Sequence, residues 1–548
     1  MLECAKGLGS VEMGGDVAFD PSFTEVEVLD VHTSYEEGRE ASLSETSSVS
    51  GGHNYRYERE QSWHDLDLQK LQRDMGFTYA QSNFLAILQK AFEKLEMSID
   101  DKVLDTWALR MVEAYLSDNR RFHSYGHIIK LCDGATPLQQ VAALFHDIAY
   151  FQVDGGPPEN SGCKLAGVLE EDTSAEGSHT YTVVDNVLDD DIRTATHIVM
   201  DLFGVQKNSR LHPGCGLNEF ASAIITVHYL NGHVPLKEIA QICALIEATI
   251  PFRDNSWPPA THEKVRKANE KYAIGLKDHE VIATTVEACG MSNRDVYDFG
   301  EEDVLLFLKG TWDLLIENNP IIRDGDETCS IVDWRVAYQK TNKFLTELDP
   351  KLVFNAFHGC PDPVTFGKMV ERAGKNIEIS RLYTGVKLAL ASLLESLEVE
   401  SAVEGGLEVV YKERGYEIGC CLQYSSLCEN DKVVFEDEPL DEPSIPCLLR
   451  VVRHHDFLCH SSCSSSNIDV YTTSLLPGLL CSENGKDSLQ VANDLIDAVK
   501  RVIARHGDMR PVGTTEAREI IELFPGKFVQ ETVESCRGKV KRAETIDK

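Results

Sequence analysis

Long apolar runs are absent from this sequence, and basic residues are scarce. No stretch of the 548 residues approaches the roughly 18 consecutive apolar residues that a membrane-spanning helix needs. The amino-terminal segment carries Glu3 and has no apolar core of signal-peptide length. With 53 Lys and Arg against 89 Asp and Glu, the net charge is −36. These absences argue against a membrane segment, a secretory signal, and a general surface for nucleic acid or anionic membrane.

The cysteines do not form the dense framework of a small disulfide-stabilised secreted domain. There are 16 of them, scattered along the chain, and Cys132, Cys243 and Cys289 lie within apolar helical patterns. We therefore expect reduced thiols and a cytoplasmic protein. The 42% of apolar and 26% of charged residues are ordinary for a soluble globular chain and leave ample material for a core.

Composition divides the chain into three regions. Residues 1–70 are rich in Glu, Asp, Ser and Gly, including the run SLSETSSVSGG, and predict a disordered acidic tail. Residues 71–398 show helical apolar spacing with few strand patterns, and they predict one all-α domain. Within it, helices are expected at 219–230, 236–248, 302–317 and 335–347.

The third region, residues 399–548, has a different pattern of apolar residues. The segments LEVVYKERGYEIGCCLQY and CLLRVV are typical of strands. Apolar positions spaced between Leu489 and Ile503 predict an amphipathic helix that Gly507 ends. The expected fold class is therefore mainly α, with an all-helical domain followed by a small α+β module. A protein partner would bind either the acidic tail or this module.

The dipeptide His-Asp occurs three times, and its context differs each time. The pair at 64–65 lies beside the acidic tail, and the pair at 455–456 lies in a Ser-rich stretch, so neither predicts a site. The pair at 146–147 falls in the middle of an apolar helix whose start is marked by Thr136 and Gln139, the signature of a capping box. A charged Asp beside a His on such a helix is costly unless it is paired or bound to a cation.

Two further histidines precede this helix, in the run RRFHSYGHIIKL. His123 and His127 are four residues apart and share one face if the run is helical. Together with His146 and Asp147 they offer three imidazoles and a carboxylate to one divalent metal ion. This donor set suits Fe, Mn, Zn, Co or Ni better than Ca.

The runs FHSYGH and AALFHDIAYFQVDGG resemble the HD-domain superfamily of metal-dependent phosphohydrolases. More narrowly, the chain is similar to an uncharacterised, mainly bacterial HD-domain family. Four further blocks carry that similarity, and together the blocks span roughly residues 75–395: GLNEFASA, IEATIPFR, NRDVYDFG and TWDLL. The resemblance implies an HD-type all-helical domain with one or two divalent ions, Mg among the candidates.

The resemblance also implies roles for individual residues. It places the metal ligands at His127, His146, Asp147 and Asp295, and it makes His123 a general acid by similarity to the phosphodiesterase branch. Asp254 is an alternative to Asp295 as the last ligand. Asp295 is preferred because it lies inside the block NRDVYDFG.

Four more residues are candidates for supporting roles. Asn218 and Glu219 either orient the ligands and hold a water or form an ordinary helix start. Glu247 and Arg253 flank Thr249 within the block IEATIPFR, and Arg253 either clamps a phosphate or is a plain surface residue.

The expected function is hydrolysis of a nucleotide or other small phosphate mono- or diester through metal-activated water. Two alternatives remain open. A di-iron oxygenase of the same superfamily needs further His ligands, for which His179, His197 and His228 are available but are left outside the site. A non-catalytic nucleotide-sensing or protein-interaction module is the second alternative.

Overall fold

The computed structural model describes residues 76–172, 180–324, 330–404, 488–507, 510–526 and 529. This part of the chain is mainly helical, as the spacing of apolar residues predicts. In chain order the helices are α1 (76–94), α2 (Asp101–Tyr115), α3 (Tyr125–Cys132), α4 (Pro137–Phe145), α5 (Phe151–Asp154), α6 (Asp190–Phe203), α7 (Leu217–Leu230), α8 (Leu236–Ala248), α9 (Trp257–Tyr272), α10 (Asp278–Asp295), α11 (Val304–Glu317), α12 (Pro320–Asp324), α13 (Ile331–Glu347), α14 (Pro363–Glu404), α15 (Ser488–His506) and α16 (Thr514–Leu523).

Strands contribute little to the described residues. Three short strands, β1 (Leu169–Glu171), β2 (Tyr181–Val183) and β3 (Arg210–Leu211), form an antiparallel sheet in the order β1-β2-β3. Leu169 pairs with Val183, and Tyr181 pairs with Leu211. The sheet sits between α5 and α7 in the chain and flanks α6.

Helix α8 is the centre of the part of the fold that carries the site. Every residue from Ile239 to Ala248 is buried, because α4, α6, α7 and α10 all pack against it. A helix that is buried on all sides over most of its length lies in the interior of a bundle. Since α8 contacts both α4 and α10, it fixes the distance between the two helices that end near the candidate ligands.

The carboxy-terminal helices share a core with the preceding ones. α14 packs along α13, α15 and α16, and one hydrophobic cluster includes Trp312, Tyr338, Leu393, Ile496 and Ile520. From Ala80 onward the described residues belong to one compact unit. The strands expected around 407–424 and 447–452, and the tail at 1–70, lie outside the described residues.

Several sequence expectations can be compared directly with these bounds. The capping box is present, since Thr136 accepts from the Gln139 N–H and the Gln139 side chain accepts in return. Cys132, Cys243 and Cys289 are buried free thiols. No helix in the described ranges combines the length and apolarity that crossing a membrane requires.

Candidate metal centre

The sequence expectation that His146 and Asp147 lie mid-helix is wrong, because α4 ends at Phe145. His146 is its carboxy-terminal cap, and a turn follows that leads into α5. Arg120 binds to this turn through its buried guanidinium, which donates to the Asp147 carbonyl at 2.6 Å and the Ile148 carbonyl at 3.5 Å. Arg120 therefore supplies hydrogen bonds to backbone carbonyls of the turn that carries Asp147.

Four side chains from three parts of the chain converge at this turn. His127 comes from α3, His146 and Asp147 from the turn after α4, and Asp295 from the last position of α10. Their potential ligand atoms all lie within 4.8 Å of one another. His146 Nε2 is 3.0 Å from Asp147 Oδ2 and 3.2 Å from Asp295 Oδ1, which is also 3.3 Å from His127 Nε2. We call these four residues the His/Asp cluster.

Electrostatics in the His/Asp cluster require a positive charge beside two carboxylates. Burial would lower the pKa of His146, but Asp147 and Asp295 outweigh it and raise that pKa well above its usual value. Burial would raise the pKa of Asp147, yet His146 and His123 hold it well below its usual range. The pKa of Asp295 is lowered to about 2, because His146 and His127 together overcome burial. Either protonated imidazole or a divalent cation can supply this charge.

The orientation of His146 fits a cation. Its Nδ1 lies 2.8 Å from the Ala143 carbonyl, so Nδ1 donates and the neutral ring presents the Nε2 lone pair to the carboxylates. A ring nitrogen anchored to a backbone carbonyl is the usual support of a metal-binding histidine. The donor set of two imidazoles and two carboxylates is suited to a divalent transition metal. The His/Asp cluster could therefore hold a metal ion.

The residues of the site differ in how far their side chains are exposed to solvent. The His146, His127 and Asp147 side chains are 1%, 4% and 8% exposed, whereas those of Asp295 and His123 are 16% and 15% exposed. His123 Nε2 is 3.9 Å from Asp147 Oδ2. A ligand approaching from solvent would therefore meet Asp295 and His123 before the more deeply buried ligands.

The condition under which His123 and His127 would share a helix face is not met, since α3 begins at Tyr125 and His123 precedes it. His123 is instead held by Glu317, the last residue of α11. Glu317 Oε1 is 2.5 Å from His123 Nδ1, and its Oε2 accepts from the N–H groups of Arg121, Phe122 and His123. This carboxylate fixes both the backbone around His123 and the direction of its ring. Nδ1 faces Glu317, which leaves Nε2 on the side of the cluster.

Charge at this pair favours a protonated His123. Burial opposes the imidazolium, but Glu317 and Asp147 outweigh burial and raise the pKa of His123. Correspondingly, His123 and the backbone N–H donors lower the pKa of Glu317 against the effect of burial. The Tyr150 ring packs on His123 with 4.3 Å between ring centroids. His123 is therefore an imidazole held by Glu317 beside the His/Asp cluster, with a pKa above its ordinary value.

The first turn of α7 supports the segment that follows Asp147. Asn218 accepts from the Phe151 N–H at 3.0 Å and donates to Gln152, and Ser222 accepts from the Ala149 N–H at 3.1 Å. Asn218 is not the helix cap, which is Gly216 at φ +76°. Its contacts are those of a residue that positions the ligand-bearing turn.

Glu219 lies beside Asn218 and has a different character. Its Oε2 is buried and has no hydrogen-bond partner. Burial, with the charges of Asp147 and Asp295, raises the pKa of Glu219 to about 7. The carboxyl is therefore within electrostatic reach of the His/Asp cluster.

The other candidates from the IEATIPFR block form a separate network. Arg253 donates to the Glu247 carboxylate at 2.7 Å, and Lys264 lies 3.2 Å from the same carboxylate. The Arg253 guanidinium also packs over the Trp257 ring. Asp254 accepts from the Ser256 N–H at the start of α9 and is not part of the cluster.

The three additional histidines do not join the His/Asp cluster where they are described. His197 Nε2 is 3.1 Å from Asp185. His228 is half-buried, and burial and Lys164 lower its pKa. His179 lies outside the described residues.

Sequence reasoning missed Glu317, Arg120 and Tyr150. Glu317 follows the apolar residues LLI at the end of α11 and is 0% exposed. The available signal in the sequence was an acidic residue at the end of an apolar helix. Arg120 and Tyr150 flank the two histidine motifs without any distinctive spacing.

Comparison of the chain with family models, with curated proteins and with solved structures finds no match.

Proposed function

We propose that this protein is an HD-type metal-dependent phosphohydrolase acting on a nucleotide or other small phosphate mono- or diester. The observation that carries the proposal is the position of His123, whose ring is fixed by Glu317 with its Nε2 next to a His/Asp cluster that could hold a divalent ion. The order of the residues along the chain, with a His, then His-Asp, then a distant Asp, supports the resemblance to this superfamily. When bound, a divalent metal would activate water and polarise a phosphoryl oxygen.

The chain's own residues supply the remaining chemistry. During hydrolysis the water oxygen bonds to phosphorus, the bond to the leaving oxygen breaks, and that oxygen needs a proton. His123 Nε2 is on the side of the cluster and can donate it, while Glu317 stabilises the imidazolium before transfer. A positioned acid of this kind contributes about 10²–10⁴-fold to the rate.

The test separates ligands from acid by substitution. His127→Ala should lose metal and activity together, because a ligand is missing. His123→Ala should keep its metal and lose about 10²–10⁴-fold in turnover of alkyl phosphate esters, but less with nitrophenyl esters, whose leaving group needs no proton. His279→Ala, an exposed histidine on α10, is the matched control.

Metal content and turnover of a phosphatase and phosphodiesterase panel, with the bound metal added back, are the measurements. A metal-loaded protein that hydrolyses no ester in the panel would overturn the proposal. Loss of metal from His123→Ala would show that His123 is a ligand, and the division of roles would then be wrong.

A further inference from the structure

The end of α10 carries a residue of the His/Asp cluster and therefore has to be held in place. Asp295 is the last residue of this helix, and its side chain is the most exposed of the four in the cluster. Helix ends fray, because their last carbonyls lack partners within the helix. Asp295 can keep its distance from His127 and His146 only if neighbouring contacts fix the backbone of this turn.

Asn293, two residues before Asp295, makes such a contact. Its side chain donates to the Asn355 carbonyl at 2.8 Å and accepts from the Asn355 N–H at 2.8 Å. Both asparagines are buried, so water does not compete for these two bonds. Two residues along a helix lie about 200° apart around its axis. Asn293 therefore faces away from the cluster and acts on Asp295 through the backbone.

Asn355 is itself anchored by a third part of the chain. The Trp257 Nε1–H donates to the Asn355 Oδ1 at 2.8 Å. Arg253 packs over the Trp257 ring, with 4.5 Å between the guanidinium and the ring centroid, and pairs with the buried Glu247. The network of the IEATIPFR block therefore reaches the end of α10 through Trp257 and Asn355.

Arg294 ties the same turn of α10 to the helix that carries His127. It donates to the carbonyls of Asp133 and Gly134, at 2.7 and 2.8 Å, and these two residues directly follow α3. The bonds of Asn293 are buried, whereas those of Arg294 are exposed to solvent. Because exposed bonds exchange readily with water, Asn293 should contribute more to holding this turn.

We propose that Asn293 is a positioning residue for the metal centre. By binding the backbone of Asn355, it holds Asp295 where this carboxylate can share a metal ion with the other residues of the His/Asp cluster. The inference concerns metal binding and does not depend on the reaction that the metal supports. Replacing a residue that orients metal ligands typically weakens metal binding by about 10- to 100-fold.

The test measures the affinity of the full chain for Co²⁺, by competition with a chelator, and the visible absorption spectrum of the bound ion, which reports its ligands and their geometry. Asn293→Ala should weaken Co²⁺ binding by about 10- to 100-fold and change the spectrum, because Asp295 is no longer held in position. Asp147→Ala removes a ligand and should abolish the signal. Binding that survives Asp147→Ala would place the ion elsewhere and overturn the inference.

Asn269→Ala is the matched control, because Asn269 forms the same pair of bonds. It donates to the Leu276 carbonyl and accepts from the Leu276 N–H, both at 2.8 Å, and Leu276 precedes α10 at the end opposite Asp295. The control should lose a similar free energy of unfolding in urea but keep the Co²⁺ affinity and the spectrum. Equal Co²⁺ affinities of Asn293→Ala and Asn269→Ala, whether weakened or unchanged, would overturn the inference.

Trp257→Phe decides the question if circular dichroism shows that Asn293→Ala does not fold. This variant removes the bond to Asn355 Oδ1 and keeps an aromatic ring beside Arg253. It should weaken Co²⁺ binding by about 2- to 10-fold, the equivalent of one hydrogen bond, and an unchanged affinity would overturn the inference. If Co²⁺ binding responds as expected but no phosphate ester is hydrolysed, only the proposed function fails.

Discussion

Replacing Glu317 by Gln changes one charge at the group that holds His123 and little else. The Oε2 of Glu317 accepts from three backbone N–H groups, at 2.8, 2.9 and 3.1 Å. Glu317→Ala would leave these donors buried without a partner and would destabilise the loop before α3. The Gln side chain keeps an oxygen for them but presents an amide N–H₂ to His123 Nδ1. The imidazolium then loses its anionic partner, and the neutral ring must accept at Nδ1.

The size of the effect follows from this lost contact. A hydrogen bond to a charged group contributes about 1.5–3 kcal/mol, and one pKa unit corresponds to about 1.4 kcal/mol. Glu317→Gln should therefore lower the pKa of His123 by about 1–2 units. Because the acid must be protonated to act, the rate falls as pH rises through this pKa. The alkaline limb of the kcat/KM profile should move to lower pH by the same amount, with about 10- to 100-fold loss at a fixed pH above it.

The assay is the pH dependence of kcat/KM for an alkyl phosphate ester and a nitrophenyl ester, with metal content measured in parallel. The shift should appear with the alkyl ester and be small with the nitrophenyl ester. Asp313→Asn is the matched control, since Asp313 lies one turn earlier on α11 and pairs with Lys309. An alkaline limb that stays in place while the metal remains bound would refute the role given to His123.

Three further predictions concern the metal and the fold. Asp147→Ala should lose the metal while circular dichroism still shows the helices; unchanged metal content would exclude Asp147 as a ligand. Arg335→Met should lower the free energy of unfolding in urea by about 3–5 kcal/mol, because it leaves Glu395 buried without its ion-pair partner. Adding Glu395→Leu should recover part of that loss. A double variant that is less stable than Arg335→Met would contradict the prediction. Burial acts to raise the pKa of Glu247, but Arg253 and Lys264 lower it below 4.5, so its charge stabilises the fold above that pH and the contribution is lost as pH falls through the lowered pKa. Glu247→Gln should reduce the melting temperature near neutral pH, and the melting temperature should then fall less steeply as the pH is lowered. Equal melting temperatures of variant and wild type at every pH would refute this prediction.

Local signals in the sequence were sufficient to place α7, α8 and α13, but not the end of α4. The bounds 236–248 agree with α8, and the helix expected at 219–230 begins two residues earlier at Leu217. The helix expected at 335–347 begins at Ile331, where Ser330 and Asp333 form a capping box. Capping and apolar spacing act within one or two turns, so they can be read from neighbouring residues.

The metal centre required information that local patterns do not contain. Glu317 and His123 are 194 residues apart, and no periodicity connects an acid at the end of one helix with a histidine before another. The contact of Arg120 with the turn after α4 joins two parts of the chain in the same way, and no local pattern marks it. Motif order placed His127, His146, Asp147 and Asp295 on the candidate list, but their convergence depends on packing around α8.

The charge pattern of the centre links its stability to its chemistry. Asp147 and Asp295 are held together only because positive charge lies between or beside them, either on His146 or on a bound cation. Binding of a divalent ion would displace a proton from His146, so affinity for the metal should fall as pH decreases. His123 has a carboxylate of its own, Glu317, which raises its pKa and is not among the four residues of the His/Asp cluster. Asp147 and Asp295 would thus balance the charge of a cation, whereas Glu317 favours the proton on His123 that the proposed mechanism transfers to the leaving oxygen.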